Sequence, residues 1–194
     1  MTTLPVFEKF VRDLRAIWAA TQDNETRMKR AQPLMERLVR EETLIAHSKQ
    51  WPLTVGQNLL FYEDEEFNFV VNAVVRPPGY VGSVHDHAHA WVLYGVMDGQ
   101  ERLERYDRLD DGRRPGYAEL RLASDTKGER GKVDLVPPFS IHAERGGPVR
   151  SVAMILRTER LVGRTLQHGY DPKTNGVKEM WGPKQVPYAL EVTL

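Results

Sequence analysis

The sequence predicts a mainly β protein, a sandwich or small barrel of short antiparallel strands with α-helices in front of it. Three observations lead there. Apolar residues recur at steps of three and four in the N-terminal segment, the pattern changes after "WPLTVGQ" to short β-type runs, and turn signals separate those runs at regular intervals.

The first helix is read from Thr3, a candidate N-cap followed by Leu4 and Pro5. It places Val6, Phe7, Phe10, Val11, Leu14, Ile17 and Trp18 on one face. A second helical stretch begins around 23–26, with a restart at Pro33, and carries Leu34, Met35, Leu38, Val39, Leu44 and Ile45 on one side. Such aromatic and methionine stripes are core packing. Strand candidates then follow at 58–62, 67–75, 81–87, 91–97, 101–108, 117–122, 132–136, 140–144 and 149–157, broken by "EDEE", "RPPG", "DG", "DDGRRPG" and "RGGP". From Leu161 the period is lost, and "HGYDPKTNGVKEMWGPKQVPYALEVTL" reads as a Pro- and Gly-rich tail that wraps the domain. The expected division is a helical segment 1–50 packed on a barrel 51–160, with a tail 161–194, in a single domain without internal repeats.

Composition narrows the class of function. A chain of 194 residues with 41% hydrophobic residues can bury a full core. Its 27 Lys plus Arg balance 27 Asp plus Glu, so no net field recruits nucleic acid or anionic lipid. The opening "MTTLPVFEKFVRDLRAIWAA" carries early charges and no later stretch reaches the length of a membrane span, so a cytoplasmic protein is expected. Assembly into a homo-oligomer is left open. There is no cysteine, which excludes disulfides and thiolate chemistry from the chain and leaves histidine and carboxylate as metal ligands.

Half of the six histidines fall in "SVHDHAHAW", at His85, His87 and His89. Alternate positions on an extended strand share a face, so any pair of these rings can point into one cavity. The spacing alone is open between metal ligation and a polar strand edge. His47 and His168 stand alone and read as surface or packed residues, and Asp86 as a structural group directed away from the interior.

Two spaced signals resemble a known superfamily. Gly79 precedes His85-x-His87 by five intervening residues, Gly99 closes the next run at "MDG", and "GKVDLVPPFSIH" places His142 five positions after Pro137. Together these resemble the two motifs of the cupins, small antiparallel β-barrels of jelly-roll type. The glutamate that most cupins place four or five residues after the second histidine is missing, those positions being Trp91 and Val92. With that omission, "VVNAVVRPPGYVGSVHDHAHAWVLYGVMDGQERLERY", "QNLLFYEDEEFNF" and the helices before them look like the thiol dioxygenases, the cysteine and 3-mercaptopropionate dioxygenases, over roughly Leu4 to Leu161.

The resemblance implies Fe(II) held by His85, His87 and His142, a small thiol carboxylate and O2 as substrates, and a sulfinate product. Imidazole suits Fe(II), and three facial ligands leave three positions open. The sequence also departs from that family. Phe139 stands for the glycine two residues after the motif proline, Gly146 for an asparagine, and "RSVAMILRTER" puts Ala153, Ile155 and Arg157 where the family has Ser-x-His-x-Tyr. Gln57 lies near the family's substrate glutamine, while Tyr94 and Arg157 are candidates to line the pocket, Arg157 as a bidentate anchor for a carboxylate. His89 shares the ligand face if its strand stays regular, and is then a candidate acid or base beside the metal, with Arg157 as the second catalytic candidate. Alternatives are a cupin metalloenzyme acting on a non-thiol molecule, and a non-catalytic cupin that binds a small molecule.

Overall fold

The computed structural model describes residues 4–190 and places three helices before twelve strands within them. Helix α1 (Pro5–Ala20) buries Phe7, Phe10, Leu14 and Trp18, the stripe read from the sequence. Thr3, the expected N-cap, lies outside the described residues; Leu4 occupies the N-cap position without a side-chain bond. Helix α2 (Asn24–Leu38) is capped by Asp23, whose carboxylate accepts from the Thr26 N–H at 2.8 Å. Pro33 does not restart a helix, since α2 runs through it. The break comes later, at 39–41, and separates off α3 (Glu42–Ser48) with Leu44 and Ile45. The buried Arg27 donates to the carbonyls of Trp18 and Thr21, which closes the C-terminal end of α1.

The strands are β1 (Gln57–Glu63), β2 (Val70–Arg76), β3 (Val84–His85), β4 (Val92–Asp98), β5 (Gln100–Arg108), β6 (Leu120–Glu129), β7 (Val133–Val136), β8 (Ile141–Gly146), β9 (Ser151–Arg157), β10 (Gln167–Asp171), β11 (Gly176–Met180) and β12 (Lys184–Pro187). They form two six-stranded sheets, in the orders β12-β1-β2-β9-β4-β7 and β11-β10-β3-β8-β5-β6. The four-strand sets β2-β9-β4-β7 and β3-β8-β5-β6 have the strand order of the two facing sheets of a jelly roll, so the mainly β, cupin-type architecture is present.

Side-chain alternation explains the layers. On the first sheet Val71, Ala73, Val75, Leu93, Met97, Val152, Met154 and Leu156 join the helices in one core. The opposite faces of the same strands send Val74, Val92, Tyr94, Val96, Ala153 and Ile155 into the barrel. With both faces covered, every residue of β2 and β9 is buried, and burial of a side chain such as Leu93 or Leu156 contributes about 2 kcal/mol. Gly95 lets α2 approach this sheet: a Cβ there would meet Val133, Val39 and Met35 at 3.0–3.2 Å.

Two expectations need correction. The segment 161–190 is not an irregular wrap: β10 pairs with β3, β11 pairs with β10, and β12 runs parallel to β1 at the edge of the other sheet. The run 81–87 yields a strand of two residues only, because the chain turns out of β3 after His85 and Ala88 adopts φ 47°. Among the described residues no helix is long and apolar enough to cross a membrane.

Candidate metal centre

His85 and His142 lie directly opposite each other in the β3–β8 pair, so strand alternation sends both rings inward. His87 follows two residues later, past the strand end, and is buried. The three ring centroids are 4.5–4.9 Å apart, and one ligating nitrogen from each can be chosen so that all lie within 4.8 Å. Of all the sequence candidates, these are the three that the fold brings together as a group able to hold a cation.

Each ring is fixed from behind. His85 Nδ1 lies 3.0 Å from the Ser83 carbonyl, His142 Nδ1 lies 2.8 Å from the Ser140 carbonyl, and His87 Nδ1 lies 3.0 Å from Gln167 Oε1. A carbonyl oxygen only accepts, so each Nδ1 carries the proton and each Nε2 keeps a free lone pair. His142 Nε2 is buried with no hydrogen-bond partner among the described residues, an arrangement that costs about 1–3 kcal/mol unless something ligates the nitrogen. Burial, then the neighbouring His85, lowers the His142 pKa to about 4. Burial together with His85 and Arg157 takes His87 well below its ordinary value. Neutral rings with free Nε2 lone pairs are the form a divalent cation needs, so the donor set fits iron and equally its divalent neighbours.

A cavity of about 280 Å³ opens beside the rings, and Gln57, Tyr94, Arg157, Gln167, His85 and His87 all line it. Arg157 is 6% exposed, donates to Asn72 Oδ1 at 3.2 Å, and has no carboxylate within ion-pair distance among the described residues. Burial brings it down to about 10, still charged at neutral pH. Arg76, on the same inner face of β2, is instead paired: Nη2 donates to Glu144 Oε2 at 3.4 Å, and Nη1 is 3.7 Å from Glu101 Oε2. Glu101 also accepts from Tyr94 Oη and Ser151 Oγ, each at 2.6 Å, so the Tyr94 hydroxyl is committed to the wall. Burial would raise Glu144, but Arg76 and the imidazoles outweigh it and hold the carboxyl down to about 2. Its Oε1 stands 3.7 Å from His142 Nε2.

His89 is not brought to this cavity. The expectation required a regular strand, and the left-handed turn at Ala88 sends the His89 side chain outward, 52% exposed, with Nε2 2.9 Å from Glu159 Oε1. Asp86 points away from the interior, where its carboxylate accepts from the N–H groups of Ala88 and His168, from His168 Nδ1 and from Tyr170 Oη at 2.8–3.1 Å. It thereby ties the loop that carries His87 to β10. His47 accepts from Trp51 Nε1. Phe139 sits at φ 57°, the region where glycine is at ease, and its N–H donates to the Ala88 carbonyl at 2.7 Å.

Sequence reading missed Gln167, Arg76, Glu144 and Asn72. For Asn72 and Arg76 a signal existed: polar residues four apart in "VVNAVVR" and six apart in "SVAMILR", even spacings within apolar runs, mark one inner face. Gln167 had none, because its strand was not recognised.

No protein-family model matches the chain. Among solved structures it is similar to DMSP lyases, at 19% identity over 46% of this chain and 37% of theirs with a TM-score of 0.35, so it spans little more than a third of that length. It is also similar to the Cnp3 cupin domain of Schizosaccharomyces pombe, at 13% identity over 56% of this chain and 69% of that one, TM-score 0.44. A third is a protein with a double-stranded beta-helix domain from Klebsiella pneumoniae, at 16% identity over 73% and 97%, TM-score 0.43.

Proposed function

We propose that this chain is a mononuclear non-heme iron dioxygenase of the thiol dioxygenase type, adding O2 to a small thiol carboxylate to give a sulfinate. The observation that carries the reading is a cluster of three Nε2-free imidazoles, two of which share a cavity with Arg157, a buried cation that has no carboxylate within ion-pair distance among the described residues. Iron, when bound, supplies a Lewis acid for the thiolate and a redox centre for dioxygen.

The protein's own groups do the rest. Arg157 grips the carboxylate, Gln57 contributes a second polar contact, and Val74, Tyr94 and Ile155 exclude water around the carbon chain. Ser83, Ser140 and Gln167 hold the ligand rings in one tautomer. Buried Arg76 and Arg157 balance buried Glu101 and Glu144, so a divalent cation on neutral imidazoles leaves two positive charges in excess. A dianion such as a thiolate carboxylate cancels them. An amino acid thiol would add an ammonium for which no carboxylate is free, since Glu101 and Glu144 are both taken by Arg76. On this reading the charge balance of the site favours 3-mercaptopropionate-like substrates over cysteine.

The stoichiometry closes without a further reductant. Both atoms of O2 form bonds to sulfur, the thiolate loses four electrons and dioxygen gains them. Oxygen uptake by the anaerobically iron-loaded protein, followed on 3-mercaptopropionate, cysteine and thiol-free carboxylates, tests this. One O2 per thiol, with both labelled atoms in a sulfinate, is the expected result; loaded protein that consumes oxygen with no thiol overturns it. Uptake with a thiol-free carboxylate would move the chain to a different cupin oxygenase.

A further inference from the structure

The 280 Å³ cavity touches His85 and His87, whereas His142 lines a separate, smaller space between β4, β5, β7 and β8. Tyr94 and Glu144 line both, so these two side chains are the partition, and the imidazole cluster straddles two cavities. We infer that the smaller space is a holding and entry site for one small apolar molecule, dioxygen on the oxygenase reading above, on which this identity rests.

Size and chemistry separate the two spaces. The smaller holds about 20 Å³, enough for one molecule the size of water or a diatomic gas and too little for an organic acid. Leu103 and Val136 contribute its apolar walls, and Tyr94, whose hydroxyl is taken by Glu101, offers it the ring. The larger cavity carries Arg157, Arg76 and Gln57, which suit a charged substrate. A substrate seated there closes the wide approach to His85 and His87, and the approach at His142 stays open to a neutral partner. Water is the rival occupant, because Asp134, at the same space, has a buried Oδ2 with no partner among the described residues. Glu104, Arg105 and Glu144 also border the space, but each is committed elsewhere, Glu104 to Tyr106 and Arg145, Arg105 to the Leu135 carbonyl and Glu144 to Arg76. The surface left facing it is therefore largely hydrocarbon and favours an apolar gas over water.

Dissolved O2 under raised pressure, applied to the metal-free protein, is the probe, since its paramagnetism speeds the relaxation of nearby methyl groups. The methyls of buried Val136 are expected to relax several-fold faster than those of Leu93 and Leu156, which are also buried but face the helices, and those of half-buried Leu103 faster than those of the more exposed Leu122. Leu103→Phe, which fills the space, should erase the effect, and Val136→Phe serves if that variant fails to fold. In the iron-loaded protein Leu103→Phe should raise the KM for O2 several-fold and leave the KM for the organic substrate unchanged. Void methyls that respond no more than their controls overturn the inference, whether water fills the space or nothing does. Localised O2 with no oxygen uptake on any substrate would remove the oxygenase reading and leave the gas site standing; uptake with an unmoved KM for O2 would do the reverse.

Discussion

Arg157→Met should make the protein more stable and less able to bind its substrate. The guanidinium is 6% exposed, it donates to the neutral Asn72 amide oxygen at 3.2 Å with no carboxylate within ion-pair distance among the described residues, and burial has brought its pKa from 12.5 to about 10. At neutral pH the group is charged in both the folded and the unfolded chain. A lowered folded-state pKa is therefore a full penalty below pH 10, fading only as pH rises toward 12.5, and it corresponds to about 3 kcal/mol. Losing the bond to Asn72 costs about 1 kcal/mol, softened because Gln185 Nε2 still donates to the same oxygen at 3.4 Å. Methionine is unbranched and fills most of the arginine stem's volume, so the net gain is about 2 kcal/mol, or about 4–8 °C in Tm for a chain of this size. Thermal unfolding of the metal-free protein measures that half. Calorimetric titration of 3-mercaptopropionate into the iron-loaded, oxygen-free protein measures the other, where losing a buried charge-assisted contact should weaken binding by at least about thirtyfold. A variant that is destabilised, or that binds the carboxylate as well as the parent, refutes the assignment of Arg157 as an uncompensated anchor. Such opposed signs are what a group kept for function rather than for folding produces.

Three further outcomes follow from the geometry. Gln167→Leu removes the acceptor behind His87 Nδ1 and should lower metal affinity about 10–100-fold in a chelator competition, with Gln167→Glu restoring most of it; equal affinities for all three proteins would show that His87 needs no such support. Phe139→Gly relieves a left-handed side chain worth about 1–2 kcal/mol, offset by glycine's chain entropy of about 0.5–1 kcal/mol, so urea unfolding should show a small gain in stability; a clear loss would mean that the 60% exposed ring packs more than its surface indicates. His89→Ala should change metal occupancy and turnover little and stability by less than about 0.5 kcal/mol, because its contact is an exposed pair with Glu159; a collapse in turnover with metal retained would return His89 to the site.

How much of this was legible in the chain depends on which physical signal each part carries. The helices and the first nine strands announce themselves through period and turn residues. The histidine cluster announces itself through two motifs far apart in sequence, which is why His142 could be named beside His85 and His87 although 55 residues separate it from the nearer one. Strands β10 to β12 carried no such signal: "QHGYD", "GVKEM" and "KQVP" are short, largely polar and lie at or near sheet edges, where one apolar face is thin and proline is tolerated. Their loss hid Gln167, and with it the support of one ligand. His89 failed for the opposite reason. Its alternation with His85 and His87 was real in the sequence, but alternation decides a face only while the backbone stays extended, and Ala88 does not.

The cavity wall joins these cases. Strands β2 and β9 are buried on both faces, so they show no polar side that would reveal orientation, and their apolar runs read the same whichever way they face. The exceptions are what fix the inner surface: Asn72 and Arg76 lie four apart on β2, Ser151 and Arg157 lie six apart on β9, and the even spacing puts each pair on one side. A fold that needed only a core would place valine at each of these positions. Keeping Arg157 there with no carboxylate in ion-pair distance among the described residues spends stability on a buried charge, which on the proposed reading serves an anionic substrate.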